Sequence, residues 1–204
     1  HQLGDLATYW NDVLSFDPTK GQKPSILPRT DGVEDTDAKE AALCVLYLRD
    51  ANHAMSNTVL GRFYARILRN EVDAAPQFAQ ACKATAAFFT LWRSALANTD
   101  LDDMYRTLFA RHMSYEKPPA NVTVDKLKEF YRDALTPKKV GEKDARMIRA
   151  RHALRSDVVK AVCKFVLFVA AHDTEPDRAE PGLMRVVVRK TEPHLEPDKW
   201  RSPD

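Results

Sequence analysis

Residues 76–109 form the longest stretch of the chain with one clear period, PQFAQACKATAAFFTLWRSALANTDLDDMYRTLF. Mostly apolar side chains recur there at spacings of three and four, which is the period of one helical face; they are Phe78, Cys82, Thr85, Phe88, Phe89, Trp92, Ala95 and Leu96. Alanines occupy much of the remaining circumference, and a helix that is apolar on most sides is typically buried. We therefore predict a central buried helix over residues 76–98.

A second helix is predicted directly after the first. Asn98, Thr99 and Asp100 interrupt the apolar period, and Thr99 is suited to cap a new helix because Asp102 stands three residues later. The apolar face then continues through Leu101, Met104, Tyr105, Leu108 and Phe109. The pattern indicates that this helix folds back on the central one.

The rest of the chain is also predominantly helical in pattern. Periodic apolar positions predict helices over residues 6–14, 36–51, 57–69, 124–135 and 157–172, with Thr123 and Ser156 as caps for the last two. A proline- and glycine-containing loop is predicted over residues 17–36, and one strand over residues 184–188. The predicted fold is all-α, an irregular bundle of seven or eight helices with a short strand or extended C-terminal tail. We assign residues 1–175 to a helical domain and residues 176–204 to a connector.

Composition limits the class of protein. The chain has 204 residues, 44% apolar content and a net charge of +2, which fits one globular domain without a strong overall charge. No apolar run approaches the roughly 18 residues of a membrane span, and no signal peptide opens the sequence. Cys44, Cys82 and Cys163 lie in separate apolar runs and are predicted to be free thiols in a reducing, cytoplasmic compartment.

The sequence contains no recognisable catalytic or metal-binding motif. Phosphate-binding glycine loops, HExxH, GxSxG and paired carboxylates are absent, and the six histidines are scattered. We interpret His172 as a C-terminal helix residue that suits the helix dipole, and His112 as a surface residue. We expect no catalytic residue, no metal site and no cofactor within this chain.

One segment is strongly basic. Residues 138–155 carry seven cations against Glu142 and Asp144, a local balance of +5, and the cations are Lys138, Lys139, Lys143, Arg146, Arg149, Arg151 and Arg155. A cluster of this kind can hold the phosphates of DNA or RNA. The alternative is a solvated helix neutralised by acidic neighbours. Arg62, Arg66 and Arg69 form a smaller stripe, which we expect to pair with local carboxylates.

A family resemblance is carried by residues 88–109, FFTLWRSALANTDLDDMYRTLF. An apolar helix ending in Trp92-Arg93, a turn at Asn98-Thr99 and a helix opening with Leu101 resemble the helical region of GmrSD-type modification-dependent restriction proteins. Residues 41–68, AALCVLYLRDANHAMSNTVLGRFYARIL, look like the preceding helices of that region. The helix order is similar from about residue 5 to 172. The resemblance implies a bacterial defence protein that joins a ParB-like NTPase domain to an HNH-type nuclease domain.

Neither catalytic centre of that family is matched here. The run His194-Leu195-Glu196-Pro197 has the His-x-x-Pro part of the nuclease motif, but Pro193 stands where the family has Glu. The chain also begins at His1, so we expect it to be part of a longer protein. We expect it to lack nuclease activity by itself, because no complete set of metal ligands and base histidine is visible in the sequence. What the resemblance implies is a helical connector and regulatory domain that contacts DNA and the other domains of its parent. The alternatives are a freestanding protein-interaction bundle, or an enzyme with an unrecognised site.

Overall fold

The computed structural model describes residues 2–15, 35–95, 101–113, 122–136, 160–176 and 184–186. These residues form seven α-helices, and a π-helical turn, Trp10–Leu14, directly continues the first of them. The helices are α1 (Gln2–Tyr9), α2 (Asp35–Asp50), α3 (Met55–Leu68), α4 (Ala74–Ala95), α5 (Leu101–His112), α6 (Val124–Leu135) and α7 (Lys160–Asp173). Two three-residue antiparallel strands follow α7, β1 (Thr174–Pro176) and β2 (Met184–Val186). The predicted all-α bundle is confirmed, and β2 lies within the predicted strand.

Helix α4 is the centre of the bundle, as predicted. It packs against α2, α3, α6 and α7, and Phe88, Phe89 and Trp92 are each no more than 2% exposed. The helix begins at Ala74, two residues earlier than predicted. Pro76 is compatible with that start because the first-turn N–H groups of a helix have no intrahelical partner. The predicted end of the helix, residues 96–98, and the predicted Thr99 cap lie outside the described residues.

Polar side chains of α4 fasten α6 to it. The backbone N–H of Val124 donates to Oε1 of Gln77 over 2.8 Å, and Nζ of Lys128 donates to Oε1 of Gln80 over 3.2 Å. Oγ1 of Thr123 accepts from the N–H of Lys126, which confirms Thr123 as the cap of α6. Two of the N–H groups that a helix start leaves open are therefore satisfied, one by the cap and one by α4.

Helices α2 and α3 each end in a turn of the same type. Asn52 and Asn70 adopt left-handed φ values of 55° and 53°. The N–H of the following residue, His53 or Glu71, then donates back to the carbonyl of Leu48 or Arg66. This is the Schellman arrangement, in which asparagine can replace the usual glycine. At the end of α2 the turn directs the chain so that His53 enters the core.

Two apolar segments are less buried than their patterns indicate. The spacing of Leu6, Tyr9, Trp10 and Val13 predicts a single apolar face, but Leu6 and Trp10 are 39% and 59% exposed. Tyr9, Val13 and Leu14 are buried, whereas Trp10 lies on the exposed side with Leu6, four residues earlier. Helix α7 is apolar nearly all round, yet Val162 is its one buried residue among those with described side chains.

Truncating Trp92 should destabilise the fold severely. Its side chain is 1% exposed and packs on Phe88 with the ring centroids 5.6 Å apart. We expect Trp92→Ala to lower the free energy of unfolding by about 3–5 kcal/mol through lost burial and a residual cavity. The matched control is Leu167→Ala, at a helical position that is 68% exposed, which should change it by less than about 1 kcal/mol. Urea unfolding measures both, and similar losses in the two variants would contradict a central α4.

Candidate functional site

The predicted nucleic-acid contacts all lie outside the described residues. They are Lys138, Lys139, Lys143, Arg146, Arg149, Arg151 and Arg155. The basic segment therefore stays a prediction from sequence. Within the described residues, other clusters of polar side chains are the candidate sites.

The second basic stripe, on α3, is engaged within the protein. Nε of Arg66 lies 2.8 Å from Oε2 of Glu71, and Nη2 of Arg69 lies 2.8 Å from Oδ2 of Asp5. Arg62 donates to the backbone carbonyl of Met113. The expectation that this stripe pairs with local carboxylates is confirmed for Arg66 and Arg69, whereas Arg62 uses a carbonyl at the end of α5. Each of the three arginines therefore makes at least one contact within the protein.

A chain of hydrogen-bonded side chains crosses the core. Nε2 of His53, in the turn between α2 and α3, lies 2.7 Å from the hydroxyl of Tyr105 on α5. That hydroxyl also shares a hydrogen bond with Tyr131 on α6. The hydroxyl of Tyr131 in turn lies 3.1 Å from Oγ1 of Thr85 on α4. Four separate elements therefore meet through four side chains, each of which is no more than 6% exposed.

Aromatic rings enclose this chain. The imidazole of His53 stacks on Phe89 with centroids 4.1 Å apart and planes 19° apart. The ring of Tyr131 stacks on Phe88 at 4.2 Å and 7°. Tyr105 lies edge-on to Phe88, which joins the two stacks. Flat rings on either side hold the hydroxyl and imidazole groups in place and keep water away from them.

Burial controls the ionisation of every group in the chain. Burial, with the positive charge of Arg93 as a lesser cause, lowers the pKa of His53 to about 3, so the imidazole is neutral near pH 7. Burial also raises the pKa of Tyr131 to about 12 and that of Tyr105 well above its ordinary value. Because each hydroxyl has one proton, the hydrogen bonds run either from His53 toward Thr85 or from Thr85 toward His53. Both orders satisfy the three contacts.

The chemistry open to this chain is limited by its surroundings. A neutral histidine and tyrosines with raised pKa values provide hydrogen-bond donors and acceptors, whereas a general base needs a pKa near the working pH and reach to a substrate. We conclude that the chain joins four elements of the core. It was missed from sequence because His53 was treated as one of several scattered histidines. The sequence signal for this cluster is the Asn52-His53 pair directly after an apolar helix. Asparagine at that position suits a Schellman turn, and the residue that follows it can then point into the core.

The remaining histidines and the thiols behave largely as predicted. His112 is exposed, with its ring edge-on to Phe130 at 5.7 Å. The three cysteines are free; Cys44 and Cys82 are buried, and Cys163 is half-buried. Burial, with the charge of Glu40 as a lesser cause, raises the pKa of Cys44 to about 12, so this thiol is a poor nucleophile. The side chain of His172 lies outside what the structure describes, as do His1, His152 and His194.

An ion cluster joins α2 to α4. Nζ of Lys83 lies 2.6 Å from Oδ1 of Asp37 and 3.0 Å from Oε2 of Glu40. Both carboxylates come from the first turns of α2, where negative charge also suits the helix dipole. The pKa of Lys83 is raised because the stabilisation by the two hydrogen-bonded carboxylates outweighs partial burial, which acts in the opposite direction. The cluster fastens α2 to α4, because Lys83 of α4 donates to both acids of α2.

The described residues form few other kinds of site. In the described part of the chain, no group of three or more His, Cys, Asp or Glu side chains is placed to hold a metal ion. None of the described helices is long and apolar enough to span a membrane. No protein-family model matches the sequence, and no curated protein matches it at a significant level. Trp92 and Leu101, which contribute to the family resemblance, are core residues at 1% and 2% exposure, so packing alone explains an aromatic and a leucine there.

Removing one hydroxyl should break the buried chain. Tyr105→Phe leaves His53 and Tyr131 without their shared partner, and an unsatisfied buried polar group costs about 1–3 kcal/mol. We expect a loss of this size in the free energy of unfolding by urea denaturation. The matched control is Tyr9→Phe, since Tyr9 is equally buried but its hydroxyl makes only a 3.5 Å contact with Asn57. Equal losses in the two variants would show that the chain adds nothing beyond ring burial.

Acid should destabilise the fold through His53. The unfolded histidine binds a proton near its ordinary pKa of 6.5, whereas the folded one stays neutral until about pH 3. The unfolded state therefore binds more protons in this window, and stability falls as the pH is lowered, approaching about 1.4 kcal/mol per pH unit.

The measurement is the free energy of unfolding of wild type and His53→Gln from about pH 7.5 to about pH 4.5. Glutamine keeps a hydrogen-bonding group beside Tyr105 but does not titrate, so the variant should show the shallower pH dependence. Parallel curves would mean that His53 is not held neutral by the fold.

Proposed function

We propose that the chain is a helical connector and regulatory domain of a DNA-targeting, GmrSD-like restriction or phage-defence protein in the bacterial cytoplasm. In this role it couples the nucleotide state of one neighbouring domain to cleavage by another, and it contacts DNA phosphates through residues 138–155. Catalysis belongs to the neighbouring domains. The proposal rests on the resemblance at residues 88–109 and on one further observation, the distribution of charge.

Charge is strongly segregated along the chain. Of 31 cations and 29 acidic residues in total, the segment 138–155 holds seven and two. The remainder therefore has 24 cations and 27 acids, a net charge of −3 beside a segment of +5. An isolated cationic stretch on a slightly acidic body is suited to direct a polyanion to one place. This asymmetry is the observation that carries the proposal.

The pairing of other cations supports the same location. Arg66 and Arg69 are held by Glu71 and Asp5, and Lys83 by Asp37 and Glu40. Releasing such a cation for DNA would leave its carboxylate beside the phosphates, which is unfavourable. Residues 138–155 have only Glu142 and Asp144 as acids within the segment, so fewer local ion pairs compete with phosphate there.

A protein-interaction module without a nucleic-acid role is the second candidate. It is favoured by exposed apolar side chains on the described helices, among them Leu3 at 84%, Leu167 at 68% and Trp10 at 59%. The two functions differ in their dependence on salt, because phosphate binding releases counterions and apolar contact does not.

Binding of a short DNA duplex should weaken steeply with salt. Each phosphate contact contributes about 0.9 to the slope of log affinity against log salt concentration. We expect the variant Arg146→Glu/Arg149→Glu to bind the duplex more weakly. The magnitude of its salt slope should be smaller by the contribution of about two contacts. Sequence preference should be small, since phosphate contacts do not read bases. Fluorescence anisotropy across a salt series measures both quantities.

The control carries the same change of charge elsewhere. Lys126→Glu/Arg132→Glu alters two exposed cations of α6 and should leave the salt slope close to that of the wild type. If wild type and Arg146→Glu/Arg149→Glu bind equally, or if the wild type does not bind at low salt, the DNA role is wrong and the interaction module is favoured.

A further inference from the structure

The two described helices that flank the basic segment differ in surface charge. Helix α6 ends at Leu135, before the segment, and α7 begins at Lys160, after it. The exposed charged side chains of α6 are two cations and three acids, a net charge of −1; they are Lys126, Arg132, Asp125, Glu129 and Asp133. Those of residues 160–170 on α7 are two cations and no acid, a net charge of +2; they are Lys160 and Lys164. The positive charge of the basic segment therefore continues onto α7 but not onto α6.

Both lysines lie on the outer side of α7. The exposed positions of this helix are 160, 164, 167 and 170, and their spacing of three and four defines one helical face. The opposite side is docked, since Val162 is fully buried and Phe165 stacks on Tyr47 of α2 with centroids 4.0 Å and planes 9° apart. Helix α7 is apolar nearly all round in sequence, so this orientation is known only from the packing.

Neutralisation within the helix differs in the same way. A helical cation is commonly balanced by an acid three or four residues away. On α6, Glu129 stands three residues from both Lys126 and Arg132, whereas no acid occurs among residues 160–172. Lys160 and Lys164 are instead four residues apart, and like charges at that spacing repel each other. An anion that contacts both lysines relieves this repulsion.

The basic segment and the outer face of α7 are close enough to contact one duplex. Five residues separate Arg155 from Lys160, and a fully extended chain of that length spans at most about 18 Å. Each strand of a DNA duplex carries one phosphate per roughly 3.4 Å of helix axis. The two sets of cations are therefore separated by no more than about five phosphates of one strand.

We infer that Lys160 and Lys164 extend the phosphate-contact surface, so that DNA held by the basic segment lies over α7 and not over α6. This inference rests on the proposed DNA role and adds to it a direction and two residues. Lysine ammonium groups bind phosphates as point charges. The two contacts should therefore strengthen binding without reading the base sequence.

A salt series with matched variants tests the direction. Binding of a short duplex is measured by fluorescence anisotropy for the wild type, Lys160→Gln/Lys164→Gln and Lys126→Gln/Arg132→Gln. Both variants lose two exposed cations from a helix next to the basic segment. The α7 variant should bind more weakly, with a salt slope smaller in magnitude by about 1.8, the contribution of two phosphate contacts. The α6 variant should keep a slope close to that of the wild type.

A footprint on the wild-type chain gives a second readout that does not depend on any variant. Lysines are acetylated with and without the duplex at low salt, and the modified residues are identified by mass spectrometry. Lys160 and Lys164 should be protected by DNA, whereas Lys126 should react to the same extent in both samples.

The outcomes separate this inference from the proposed function. If the wild type binds DNA but the α7 variant keeps the wild-type slope, or DNA leaves Lys160 and Lys164 reactive, the inference is wrong and the DNA role stands. Equal changes of slope in the two variants, or equal protection of Lys126, would also overturn it, because the duplex would then show no preference for α7. A wild type that does not bind at low salt rejects the DNA role and this inference together.

Discussion

A helix packed among other helices has to satisfy its inward polar side chains largely through its neighbours, because little water reaches them. Helix α4 does this toward two of its neighbours, α2 and α6. Gln77 accepts from the start of α6, and Thr85 contacts Tyr131 on the same helix. Lys83 binds the acids of α2, and Thr90 lies 2.9 Å from the hydroxyl of Tyr47 on α2. The apolar positions of α4 place it at the centre, and these polar positions help to orient α2 and α6 around it.

The difference between local apolar patterns and long-range polar contacts explains what could be predicted from the sequence. The burial of Phe88 and Trp92 follows from a period within one helix, and the capping role of Thr123 follows from the residues next to it. The contact between His53 and Tyr105 joins residues 52 positions apart, and no local pattern encodes it. It exists because the left-handed Asn52 turns the chain inward at a point where α5 supplies a hydroxyl. From the sequence, His53 and Tyr105 can each be recognised as a polar residue with apolar neighbours. Only tertiary packing brings the two together.

The basic segment is the opposite case, because clustering along the chain is visible without a structure. What the structure adds is the behaviour of other cations in the same protein. Arg66, Arg69 and Lys83 each face a carboxylate within 3.0 Å, so charge pairing is the common arrangement in the described core. With only Glu142 and Asp144 among seven cations, residues 138–155 cannot achieve the same pairing from within. The negative charge has to come from outside the segment, either from the proposed DNA phosphates or from acidic residues elsewhere in the chain.

The same requirement for pairing explains why the exposed side of α1 lacks charge. Asp5 and Asp12 are the acids of that segment, and both contact partners within the protein, Arg69 and Tyr64. The apolar residues of the segment lie on two sides. Tyr9, Val13 and Leu14 are buried, whereas Leu3, Leu6 and Trp10 are exposed. The exposed group has the spacing of one face of a regular helix, so the sequence itself encodes two apolar faces, of which the core buries one.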